Sequence, residues 1–92
     1  MKKDIRVEEN PELTLEEVCQ VFSITPGFVQ ELVEYSILEP NLSMFTTIHV
    51  QRIRTVVHLQ NDLDVNLSGA ALVLDLMEEL QELRARIAWL EK

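Results

Sequence analysis

From Val7 to Gln51 the chain contains no lysine and no arginine. The same stretch carries Glu8, Glu9, Glu12, Glu16, Glu17, Glu31, Glu34 and Glu39. Duplex DNA is held chiefly by Lys and Arg neutralising its phosphates, so this half of the chain would repel it. The whole chain has a net charge of −8. That favours solubility, weak affinity for nucleic acid and attraction to basic partners.

Other scarcities narrow the function further. Cys19 is the single cysteine, so no intramolecular disulfide can form and a reducing cytosol fits. Set among Val18, Val21 and Phe22 on an expected helix, it reads as a small buried hydrophobe. No Lys, Arg or His stands beside it to activate the thiol. No apolar run approaches the ~18 residues of a membrane span. The stretch Leu67–Met77 is broken by Gly69 and Asp75 and reads as a buried helix. Met1-Lys2-Lys3 is not followed by an apolar segment, so no signal peptide is expected. The protein is expected to be cytoplasmic and not membrane-associated.

Glycine is also rare, and the two present, Gly27 and Gly69, are isolated. There is no Gly-rich cradle for phosphates. Ser36, Ser43 and Ser68 have no companion His pattern, so catalysis is not expected. His49 and His58 stand nine residues apart, on different helical faces, without a Cys or a third His at ligand spacing. Asn61, Asp62, Asp64 and Asn66 superficially resemble a calcium loop, but lack its central Gly and its closing Glu. No metal or cofactor is expected.

What is present is helical. Apolar residues make up 47% of the chain, too many for disorder. At 92 residues it is one domain, or a small domain with an extended helix, and dimerisation would add to a modest core. Residues 1–12 are polar, with Ile5-Arg6-Val7 a possible short edge strand, and end in the turn Asn10-Pro11. Thr14-Leu15-Glu16-Glu17 is a capping box that opens a first helix. Leu15, Val18, Cys19 and Phe22 form its apolar face. Thr25 then caps a second helix with Pro26 at its first position. That helix runs to about Tyr35 and buries Phe28 or Val29, Leu32 and Val33. Two short helices on a tight turn read as a helix-turn-helix.

Ile37-Leu38-Glu39-Pro40, the turn Asn41-Leu42-Ser43, and Met44-Phe45 suggest a small wing hairpin, with Pro40 confining one strand to an edge. A third helix from Thr46 or Thr47 to about Leu63 is the expected hub of the core. Its two stripes are Val50, Ile53, Val57 and Phe45, Ile48, Val56, Leu59, Leu63. Arg52 and Arg54, the only mid-chain cations, are expected to offset nearby acids or to support the wing. Asn66 caps a last helix from about Leu67 to Lys92. The expected fold is mainly α, a winged helix-turn-helix over 13–65 with a long helix over 66–92.

Along that last helix Val73, Leu76, Leu80, Leu83, Ile87 and Leu90 recur at spacings of three and four, an a/d seam. A lone domain cannot cover it to its far end, and Trp89 and Leu90 would be left in water. A second copy of the chain is the expected cover. The flanking Glu79, Arg84, Arg86 and Glu91 are compatible with either parallel or antiparallel pairing. Local support such as Glu82 to Arg86 is the simpler use of those charges.

If DNA were the ligand, the second helix would be its reader. There Gln30 alone could read a base, and nothing could hold a phosphate. Glu31 and Glu34 are either a solvated face or, with Glu39, an acidic patch for a basic protein. Asp62, Asp64, Asp75 and Glu78 form a rival acidic cluster near the junction of the third and last helices.

The order of helix, turn, helix, wing, hub helix and long helix resembles the MerR-type winged-helix regulators. The residues that carry this are Leu15-Glu16-Glu17-Val18-Cys19, Ile24-Thr25, Leu32-Val33-Glu34-Tyr35, Ile37-Leu38-Glu39-Pro40 and Phe45. The junction from Leu59 through Gly69-Ala70-Ala71 to Leu76-Met77, followed by Glu78 and Glu79, is similar to an offshoot, the CbpM chaperone modulators. That resemblance implies a small bacterial protein that binds the J-domain of a DnaJ-like co-chaperone of the curved-DNA-binding protein A type. It would inhibit both the co-chaperone action and the DNA binding of that partner. The basic helix of a J-domain is the kind of partner an acidic surface attracts. The alternatives are a dimeric MerR-type transcriptional regulator bound to DNA, and a bare structural dimerisation module.

Overall fold

The computed structural model describes residues 12–91. Ile5-Arg6-Val7 and Lys92 lie outside them. Four helices follow in order: α1, Leu15–Phe22; α2, Pro26–Glu34; α3, Thr47–Leu63; and α4, Leu67–Leu90. Among the described residues no helix is long and apolar enough to cross a membrane.

Each helix begins where its local chemistry demands. Glu17 N–H donates to Thr14 Oγ1 at 3.2 Å, and Thr14 N–H donates to Glu17 Oε1 at 2.9 Å, which completes the expected capping box. Phe28 N–H donates to Thr25 Oγ1 at 3.0 Å, with Pro26 opening α2. At α3 the reciprocal partner is a histidine, because Thr46 N–H donates to His49 Nδ1 at 3.0 Å. Gly69 N–H donates to Asn66 Oδ1 at 2.8 Å to open α4. These bonds satisfy amide groups that a helix start leaves without partners. α3 ends with Asp64 in the left-handed conformation, φ 56°, and with Val65 N–H bonded back to the Leu59 carbonyl.

The expected wing hairpin does not form, and no strand is present among the described residues. Ile37 and Leu38 spend their amides on the Leu32 carbonyl at the end of α2, at 2.8 and 3.3 Å. Ser36 and Asn41 turn the chain with φ of 61° and 63°, and Pro40 has no N–H to offer. Phe45 pairs instead with Leu13, ahead of α1, through two amide–carbonyl bonds of 3.0 and 2.8 Å in a single antiparallel bridge. The segment 35–46 is therefore a folded loop pinned to the residue that precedes α1.

The core lies where α1, α2 and this loop meet α3. Val18, Leu32, Ile37, Ile53 and Val56 are its largest fully buried side chains. Phe45, Leu38, Val29, Ala70 and Leu74 complete it, with Cys19, Phe22, Phe28, Val33, Val50, Val57 and Leu59 packed on its rim. Burial of this kind contributes roughly 1.5–3 kcal/mol per large side chain. α3 packs against both α1 and α4, as its hub role requires. Two residues assigned to its buried stripes are instead in water, Ile48 at 67% and Leu63 at 68% exposure. Ile48 sits in the first turn of α3 and Leu63 at its last residue, so the core does not extend to either. Leu15 is likewise an exposed hydrophobe, at the first position of α1.

α4 folds back along α3 and buries Ala70 and Leu74 against it. Beyond about Glu82 every described residue of α4 is exposed. The radius of gyration of 15.1 Å exceeds the roughly 12 Å of a compact chain this size.

Candidate functional site

The acidic residues singled out in the sequence separate into distinct surroundings. Glu31 and Glu34 lie exposed on α2. Glu39 lies in the 35–46 loop and accepts from His49 Nε2 at 3.1 Å. With Nδ1 accepting the Thr46 amide and Nε2 facing Glu39, the His49 ring bridges the start of α3 to the loop. Phe45 meets the same ring edge-on, with centroids 6.0 Å apart.

Asp62 and Asp64 lie at the end of α3, and Asp75 and Glu78 on α4. Asp62 Oδ2 lies 3.3 Å from His58 Nδ1, one turn earlier on α3, and Asp64 terminates that helix. Asp75 and Glu78 line a shallow hollow with Glu79, Gln81 and Glu82 on α4. Sequence reading had not placed Glu79 and Glu82 there. Their spacing from Asp75 and Glu78 on an α-helix was the available signal.

Arg52 links the loop to this ridge. Its guanidinium contacts the Glu78 carboxylate, while its Nε donates to the Ile37 carbonyl oxygen at 2.7 Å. The side chain is mostly buried and the Glu78 carboxylate mostly exposed. Arg52 is thereby committed to one carboxylate and one carbonyl.

The apolar stripe of α4 is left uncovered. Val73 is half-buried, and Leu76, Leu80, Leu83, Ile87 and Leu90 are exposed. The helix docks on α3 by a different stripe, that of Ala70 and Leu74. Trp89 is 72% exposed and lies with Glu82, Ala85, Arg86 and Leu90 around a hollow of about 430 Å³ near the free end of α4.

The sequence profile of the MerR HTH family regulatory protein matches residues 13–92. A chaperone modulatory protein CbpM of Coxiella burnetii is 27% identical over 95 residues, covering 98% of this chain and 90% of its own length. That of Pseudomonas putida strain W619 is 30% identical over 86 residues, covering 88% and 85%. The chain belongs to the CbpM family. CbpM proteins of Pseudomonas entomophila match over the same span at 29% identity. The names of these relatives describe chaperone modulation, and none describes an enzyme. No solved structure matches the chain. The chain combines the helix-turn-helix frame of the MerR group with exposed carboxylates on α2, the loop and α4.

Proposed function

We propose that this CbpM-family chain is a non-catalytic, cytoplasmic modulator that binds the basic J-domain of a DnaJ-like co-chaperone of the curved-DNA-binding protein A type. By occupying that domain it inhibits both the co-chaperone and the DNA-binding activities of its partner. The observation that carries this reading is the exposure of carboxylates on α2, the loop and α4, with no Lys or Arg between Val7 and Gln51. Such a field repels phosphate and speeds encounter with a basic surface. The relatives' chaperone-modulatory names support the same reading.

The active form is a homodimer joined through Val73, Leu76, Leu80, Leu83, Ile87 and Leu90. Their shared stripe and their exposure along α4 support this, since an apolar seam of this length is stable in water only when a partner helix covers it.

The test is capture of a purified J-domain at low and high salt, run beside a duplex-DNA shift assay. Capture that weakens as salt rises is the expected result. Retention of DNA with a steep salt slope, in the absence of J-domain capture, would establish the MerR-type transcriptional regulator instead.

A further inference from the structure

Two hollows meet on α3. The first, of about 600 Å³, lies between the loop and α3 and is walled by Glu39, Pro40, Ile48 and Arg52. The second, of about 300 Å³, lies between α3 and α4 and is walled by Ile48, Arg52, Met77 and Glu78. They share Ile48 and Arg52. The second hollow shares Glu78 and Gln81 with the acidic ridge of α4. The three form one continuous track from Glu39 across Ile48 and Met77 to Glu82.

The chemistry of this track is ordered along its length. Ile48 at 67% exposure and Met77 at 43% form an apolar floor. Glu39 stands at one end, and Glu78, Glu79 and Glu82 at the other. Arg52 adds little free positive charge, because its guanidinium is committed to Glu78 and to the Ile37 carbonyl. An apolar floor between carboxylate ends complements a helix with an apolar stripe and basic residues to either end of it.

We infer that this track is the docking site for a basic amphipathic helix of a protein partner. The inference rests on the J-domain reading above and locates it. The contact surface comprises Glu39, Ile48, Met77, Glu78, Glu79 and Glu82, whereas Glu31 and Glu34 on α2 stand outside it. In this arrangement Ile48 and Met77 anchor the helix and the carboxylates steer it in.

Titration of the full chain with an isolated J-domain, by calorimetry at low and high salt, tests this. Ile48→Ser with Met77→Gln removes the floor without changing charge, at exposed positions that the core does not use. Capture should weaken about tenfold with its salt dependence unchanged. Glu79→Lys with Glu82→Lys should weaken it about as much and flatten the salt dependence. Glu31→Lys with Glu34→Lys should leave affinity within about twofold. Circular dichroism melts of each variant establish that it is folded. If the parent chain captures no J-domain, the functional reading fails. If the parent captures it, the α2 variant abolishes capture and the floor variant does not, the track is overturned while the function stands. A fall in sedimenting mass on removing Ile48 and Met77 would also overturn it, because the track would then be an interface between copies of this chain.

Discussion

Arg52 and Glu78 join the middle of α3 to the middle of α4, yet the two residues differ in what they hold. Arg52 is mostly buried and also supplies the hydrogen of the Ile37 carbonyl, whereas Glu78 is largely solvated. An exposed ion pair contributes roughly 0–1 kcal/mol, but a buried carbonyl stripped of its donor costs about 1–3 kcal/mol. Glu78→Gln should therefore lower stability by under about 1 kcal/mol and Arg52→Met by about 2 kcal/mol. Urea denaturation of both variants reads this, and equal losses would show that the carbonyl bond is unimportant.

Gly69 occupies the first turn of α4, where alanine would ordinarily be the better helix former by roughly 1 kcal/mol. A Cβ there would come within 2.9 Å of Val65 Cγ1 and 3.3 Å of the capping Asn66 Oδ1. The β-branched Val65 has few rotamers with which to yield. Gly69→Ala should destabilise the protein, by about 1 kcal/mol once overpacking outweighs the propensity gain. A thermal melt at or above that of the parent would contradict this.

Asp64 ends α3 with φ of 56°, a conformation that glycine adopts without steric cost. Asp64→Gly should stabilise the fold by about 0.5–1 kcal/mol, a rise in Tm of about 4 °C for a domain of this size. Asp64→Ala, which keeps the Cβ, should show no such gain in the same scanning calorimetry.

If the exposed stripe of α4 is a dimer seam, placing charge at its centre must separate the copies. Leu80→Glu with Ile87→Glu should halve the mass measured by sedimentation equilibrium, with helix content reduced at the free end of α4. A parent that sediments as a monomer at every concentration would remove the homodimer from the proposal.

The starts of the helices were legible in the sequence because each cap is a bond between residues three apart. Thr14 with Glu17, Thr25 with Phe28, and Asn66 with Gly69 needed no knowledge of the rest of the chain. His49 as the partner of Thr46 was not foreseen, since a ring nitrogen is an uncommon substitute for a carboxylate or amide in that role. The loop was misread for the opposite reason. Its apolar pieces look like a hairpin by local pattern, but the bonds of Phe45 go to Leu13, far back in the chain, and those of Ile37 and Leu38 to Leu32. Periodicity also could not decide which of two apolar stripes α4 turns inward. In the fold it is the stripe of Ala70 and Leu74 that is buried. The acids of the candidate surface were each visible as residues. Their grouping across the loop and α4 was not, because it depends on how α4 packs on α3.

The bridge between Leu13 and Phe45 makes the helix-turn-helix a ring closed at its base. Without it, α1 and α2 would be held to the hub by side-chain packing and one covalent connection alone. With the ring closed, the amides of Leu13 and Phe45 are released together, in one opening event that also loosens the loop carrying Glu39. Hydrogen exchange at these two amides would time that event, and a ligand resting on the loop would slow both clocks equally.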